Sequence, residues 1–199
     1  MVTRVTLVCL FVMVGVIAQA QSTFLPLELQ LRGGASFFPE GSGNYFAPTI
    51  AMDLLTNPGR NIGFGLNVNA GNGRSNYTVG TNSYTEPARH LYTGVSLRFA
   101  KSRIAKFRPF VQFRYGLLQM STTDATGKPD QFTSAQFGFS TGLMMRIGKR
   151  AHLILPEAGF TARSKGLSFE TPNDYIFGTP YIPMAWISTG IAWQIGFEK

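Results

Sequence analysis

The chain has 199 residues and a formal net charge of +8, room for one domain of ordinary size. Only 14% of the residues are charged, whereas a water-facing surface usually carries about 25–35%. The single cysteine, Cys9, excludes a disulfide scaffold, and its place in the leader described next leaves no thiol nucleophile or Cys-ligated metal in the mature chain.

Residues 1–20 have the form of a cleaved export signal. Arg4 is the only charge there, an apolar run follows, and Ala18-Gln19-Ala20 supplies the small-x-small cleavage pattern. The run is shorter than the ~20 residues of a spanning helix. Cleavage after Ala20 leaves residues 21–199 as one domain, with 17 Lys and Arg against 10 Asp and Glu. A basic balance ordinarily points to nucleic acid, which an exported chain rarely meets, so no nucleic-acid partner is expected. An exported chain with few charges, 22 Gly, 17 Phe and no hydrophobic helix predicts an outer-membrane β-barrel.

Past the leader the hydrophobic pattern has period two, the mark of two-faced strands. In the first segment Leu25, Leu27, Leu29 and Leu31 oppose Glu28, Gln30, Arg32, Gly34 and Ser36. In the second, Phe46, Pro48, Ile50, Met52 and Leu54 oppose Ala47, Thr49, Ala51 and Asp53. The third is the clearest: Ile62, Phe64, Leu66, Val68 and Ala70 alternate with Asn61, Gly63, Gly65, Asn67 and Asn69. The fourth sets Leu91, Val95, Leu97 and Phe99 against Tyr92, Gly94, Ser96 and Arg98. The fifth sets Val111, Phe113, Tyr115 and Leu117 against Arg108, Gln112, Arg114 and Gly116. The sixth sets Phe137, Phe139, Leu143, Met145 and Ile147 against Gln136, Gly138, Ser140, Gly142 and Arg146. In the seventh, at 151–163, Ile154, Ala158 and Phe160 oppose Glu157, Gly159, Thr161 and Arg163, but Leu153 and Leu155 fall on the polar side and Pro156 interrupts the ladder. In the eighth, Ile187, Ile191, Trp193, Ile195 and Phe197 oppose Ser188, Gly190, Ala192, Gln194 and Gly196.

The connections alternate too. Residues 56–60, 101–105 and 148–150 form short turns; 39–44, 71–89, 121–132 and 166–183 form longer loops. An eight-stranded antiparallel up-and-down transmembrane barrel gives this order, with both termini on the short-turn, periplasmic side. The apolar face must point outward. The polar face is too poor in Lys and Glu for bulk water, and the apolar sets run for about the 9–11 residues that a tilted strand needs to cross a bilayer. The residues Leu29, Leu31, Phe64, Leu66, Val68, Val95, Leu97, Val111, Phe113, Phe137, Phe139, Ile187, Ile191, Trp193 and Ile195 are therefore expected to face outer membrane lipids. Lipid tolerates no open sheet edge, so the eighth strand must pair antiparallel with the first, 186–197 against 27–37.

The inward face then holds Glu28, Asp53 and Glu157 with Arg32, Arg98, Arg108, Arg114, Arg146 and Arg163, an excess of three cations. Distance from the short turns places Arg98, Arg108, Arg146, Glu28 and Asp53 in the periplasmic half and Arg32, Arg114 and Glu157 near the middle. Guanidinium stays protonated and grips two acceptors at once. Such an interior reads as a structural plug, or as a narrow anion path.

The leader, the eight alternating segments and the final Ile191-Ala192-Trp193-Gln194-Ile195-Gly196-Phe197 resemble the small OmpA/OmpX-type outer membrane barrels of Gram-negative bacteria. The resemblance implies membrane integration, roles from envelope integrity to adhesion, and recognition of a terminal aromatic, here Phe197, by the barrel assembly machinery. Here that aromatic is followed by Glu198-Lys199, a departure from the family's ending. Some barrels of this size modify lipid A through a serine–histidine pair supported by a carboxylate. The His-x-Ser pattern is absent at both His90 and His152, which leaves Ser83 and Glu86 as the partners to consider for His90. His152 falls by a short turn, on the wrong side for such chemistry. No cofactor motif and no metal-ligand cluster appears. The short turns carry Arg60, Lys101, Arg103, Lys149 and Arg150 without an acid, and the loops are the place for an extracellular partner. A non-enzymatic structural or surface-interaction role is expected; an anion pore, a lipid A-modifying enzyme and a soluble ligand-binding barrel are the alternatives.

Overall fold

The computed structural model describes residues 27–40, 43–56, 61–79, 81–101, 105–123, 129–169 and 184–195. They form eight strands: β1 (Leu27–Glu40), β2 (Gly43–Thr56), β3 (Ile62–Val79), β4 (Asn82–Ala100), β5 (Phe107–Thr123), β6 (Pro129–Arg146), β7 (Ala151–Phe169) and β8 (Met184–Ile195). Each strand pairs antiparallel with the next, and β8 returns to β1, closing a barrel. The closing ladder runs from Leu27 opposite Ile195 to Phe37 opposite Ala185, the pairing the alternation demands. The leader at 1–20, the turn at 57–60 and Phe197 lie outside the described residues.

The outer wall is apolar. Leu31, Phe64, Val95, Leu97, Phe137, Ile187, Ile191, Trp193 and Ile195 are exposed on it. Leu29, Leu66, Val68, Val111, Phe113 and Phe139 share that face half-buried among their neighbours. Phe113 shows why: its ring lies 5.5 Å from that of Phe139 and 6.2 Å from that of Phe137.

Two expectations from sequence change. The stretch at 71–89 is mostly paired strand, because β3 continues to Val79 and β4 starts at Asn82. Likewise β5 runs to Thr123, β6 starts at Pro129, and β1 and β2 pair as far as Glu40 opposite Gly43. Past the apolar zone both strand faces carry polar groups, so the period disappears from the sequence while backbone pairing continues.

The second change concerns β7. Ile154 is fully buried inside, whereas Leu153 and Leu155 are only partly buried. Between Ile154 and Glu157 the register with β8 slips, and the ladder with β6 slips between Thr141 and Met144. Both slips give β7 one residue more than its partners. The extra residue sits at Leu155–Pro156, where proline has no N–H to offer the ladder. The bulge shifts the alternation by one, so both halves of β7 obey the same inside–outside rule. Ile154, expected on the apolar face with Ala158 and Phe160, belongs to the interior for this reason.

Inward glycines make room for large side chains. A Cβ on Gly142 would meet the Phe110 ring at 2.7 Å, and one on Gly159 would collide with the Trp186 indole. Deleting Pro156 removes the phase shift and turns half of β7 inside out. The protein with that deletion is expected to lose its folded, heat-sensitive band on unheated gels, whereas Pro156→Ala, which keeps the extra residue, retains it.

Candidate functional site

The polar interior is built around four side chains from four strands. Arg32 on β1 donates through Nη2 to Asp53 Oδ2 on β2 at 2.6 Å and through Nη1 to Glu157 on β7. Arg114 on β5 donates to Glu157 Oε1 at 2.7 Å and lies 3.7 Å from Asp53 Oδ2. Asp53 also accepts from Asn67 on β3 and from Gln112 Nε2 at 3.1 Å. In an eight-stranded closed barrel β1 and β5 stand on opposite walls, so this ring spans the bore. All four side chains are buried, and their charges cancel.

A second charged group lies towards the short turns. Arg98 Nη1 donates to Glu28 Oε1 at 2.6 Å, and Arg108 Nη1 lies 3.7 Å from Glu28 Oε2. Gln30 Nε2 donates to Glu28 at 2.8 Å, and Arg108 Nε donates to the Lys101 carbonyl at 3.1 Å. Phe110, Met144, Ile154 and Ala192 pack beside it as an apolar layer.

Above the central ring, on the loop side, Phe38, Tyr45, Tyr92, Leu118, Met120 and Trp186 form a larger apolar plug with their neighbours. The Arg114 guanidinium sits 4.8 Å from the Trp186 ring, joining the ring to the plug. Of these six residues the alternation read from sequence marks only Tyr92 as inward. The signal for the layer was parity: Leu118 and Met120 share the phase of Arg114, and Phe38 shares that of Ser36.

Some expected members are placed differently. Asp53 joins the central ring instead of the Glu28 group. Strands in a closed barrel tilt and stagger, so residue count from a turn does not measure height across strands. Arg146 has inward parity but lies where β6 ends at a turn; it is exposed, and its Nε donates to the Gly148 carbonyl at 3.2 Å. Arg163 stands opposite Gln136 on the β6–β7 ladder, and its side chain lies outside the described residues. Glu86, assigned by sequence to a loop, is buried on the loop side. Among the described residues the interior therefore holds Arg32, Arg98, Arg108 and Arg114 against Glu28, Asp53, Glu86 and Glu157, and the expected cationic excess is absent.

His90 is buried in the plug. Its Nδ1 lies 3.0 Å from the Tyr45 hydroxyl and its Nε2 lies 3.1 Å from Asn69 Oδ1. Ser83 is exposed on the projecting β3–β4 ribbon. The structure thus gives His90 a tyrosine and an amide in place of a serine and a carboxylate. A depression of about 490 Å³ lies on the outer wall, with Leu54, Phe64, Leu66, Val95, Leu97 and Phe113 among its lining residues.

A closed eight-stranded antiparallel barrel is a fold that this chain shares with outer-membrane proteins of known structure. Neisserial surface protein A is similar in fold, with a TM-score of 0.62 at 12% identity over 84% of this chain and 96% of that one. The outer membrane protein OprG from Pseudomonas aeruginosa gives 0.55 at 9% identity, over 86% of this chain and 96% of its own. Ail, the attachment invasion locus protein of Yersinia pestis, seen with the heparin analogue sucrose octasulfate, gives 0.53 at 9% identity, over 86% and 99%. No protein-family model and no curated protein matches the chain by sequence.

Breaking a buried ion pair on one side strands its partner in a dry interior. Glu157→Ala, which removes the acceptor of both Arg32 and Arg114, is expected to cost about 3–5 kcal/mol, measured by denaturant unfolding in lipid vesicles.

Proposed function

We propose that the protein is an integral barrel of a Gram-negative outer membrane that works without catalysis. Its short turns face the periplasm, its interior is plugged by the arginine–carboxylate network, and its loop end presents paired ribbons to the surroundings. The observation that carries this reading is the central ring. Arg32, Asp53, Arg114 and Glu157 join opposite walls, with an apolar layer on either side. The ring reads as a structural plug because its charges cancel and because both of its carboxylates are shared between Arg32 and Arg114. Insertion by the barrel assembly machinery, with Phe197 as the terminal aromatic signal, belongs to the same reading.

The outward apolar residues support a bilayer surrounding. In water a wall of exposed Leu, Ile, Val and Phe this extensive would drive association; in acyl chains it is solvated. A non-enzymatic role is supported by His90, whose two ring nitrogens already face Tyr45 and Asn69. Surface interaction at the loop end is supported by the strands that continue past the apolar zone, because they hold polar side chains in fixed register.

Planar-bilayer recordings test the plug. Purified protein is expected to give no steady conductance; a stable anion-selective current that shifts in Arg114→Ala would overturn the reading in favour of a pore. The membrane surrounding has its own test. Ile191→Arg places a cation midway along the β8 apolar run and is expected to cost about 2–4 kcal/mol in vesicles, as charged residues do near the midplane of such barrels.

A further inference from the structure

The outer wall changes character abruptly at the loop end of β3 and β4. On β3 the outward side chains are Ile62, Phe64, Leu66, Val68 and Ala70, followed by Asn72, Arg74 and Asn76. On β4, read towards the same end, they are Phe99, Leu97, Val95, Thr93 and Leu91, followed by Arg89, Pro87 and Thr85. Both apolar runs cover nine residues, the lower limit for a strand crossing the hydrocarbon layer. Arg74 and Arg89 are the first charges beyond it. Arg74 pairs across the ladder with Pro87 and Asn72 pairs with Arg89, so the two arginines are diagonal neighbours on one face.

Both arginines are exposed, and neither is held by an ion pair or side-chain hydrogen bond among the described residues. Arg74 also stands opposite Phe46 on the β2–β3 ladder, and the Phe46 ring lies 5.2 Å from that of Phe37. Aromatic residues of this kind commonly mark the headgroup level. At this level the outward side chains flanking the pair are Phe46 and Pro48 on β2 and Ser121 on β5, none of them an acid. Among the described residues the pair is therefore two guanidinium forks with no acid beside them, at the boundary between the acyl-chain zone and water. Arginine is suited to bidentate contact with phosphate oxygens.

We propose that Arg74 and Arg89 form a binding site for the phosphate of a lipid in the loop-side leaflet, with the acyl chains lying along the apolar wall beneath. The inference rests on the membrane reading above and deepens it by naming one lipid class and one side of the barrel. It needs a headgroup with an exposed phosphate monoester or diester, held at the height of Phe46.

The test is native mass spectrometry of the full mature protein in detergent, titrated with a phosphorylated glycolipid or with its dephosphorylated counterpart of identical acyl chains. The wild-type protein is expected to retain the phosphorylated lipid at least tenfold better. Inorganic phosphate at millimolar concentration is expected to displace little of it, since free phosphate lacks the chains that hold the lipid to the wall. Arg74→Gln with Arg89→Gln is expected to abolish the preference, whereas Lys101→Gln with Lys149→Gln, at the opposite end, leaves it intact. Equal retention of both lipids by the wild-type protein overturns the proposal without any variant. Preference surviving in the double variant does the same, as does selective retention of a sulfated oligosaccharide over the lipid. Incorporation into neutral phosphatidylcholine vesicles, read by the heat-sensitive gel band, reports the membrane reading separately. Protein that inserts there but shows no phosphate preference refutes this site alone.

Discussion

The structure depends on four charges that have nowhere else to go. Arg32, Asp53, Arg114 and Glu157 come from strands on different sides of the barrel and meet at its centre. Turned outward, any of them would face hydrophobic surroundings at a heavy cost in solvation. Turned inward but unpaired, each would be a stranded ion in a dry core. Only inward and paired are they tolerable, and the pairing requires β1, β2, β5 and β7 to stand at the correct relative height. The ring therefore fixes the tilt and stagger of the wall as much as the wall fixes the ring. The Arg32–Asp53 pair ties the laddered neighbours β1 and β2, and Glu157 joins Arg32 and Arg114 from strands with which β7 shares no backbone ladder.

Two further layers follow from the same constraint. The Glu28 group and the aromatic cluster lie inside the barrel on either side of the ring, and inward glycines accommodate the large rings. The interior is thus sorted by height: apolar and charged near the short turns, ionic at the centre, aromatic near the loops. Ion pairs between separate strands stiffen a sheet only eight strands wide, because its walls cannot slide past one another without parting them.

Most of the barrel was legible in the alternation of the chain. Segments such as 61–70 have one purely apolar face and one small or polar face, which leaves strand, face and length little freedom. Closure followed from backbone chemistry alone, since a ladder of N–H and C=O groups cannot end in hydrocarbon. The failures have physical causes. At Leu155–Pro156 a single extra residue reverses the phase, and a phase reversal looks like poor amphipathicity when read from sequence. At 71–89 the alternation ceases because both faces are polar, so a long ribbon looked like a loop. For the interior, sequence showed which side chains point inward but not their height. Asp53 and Glu28 both counted to the short-turn half, and Asp53 stands in the central ring instead. Arg146 has the right phase and the wrong end of the strand.

The β3–β4 ribbon has a consequence for anything that approaches the barrel from its loop end. Its strands stay in register as far as Val79 opposite Asn82, so the projecting part is a twisted blade instead of a slack tether. A visiting molecule meets a surface whose shape is already set and loses little to ordering it. Recognition there is of relief more than of letters. An antibody raised to the native blade would read two strands side by side, and a linear peptide copied from either strand would make a poor substitute for it.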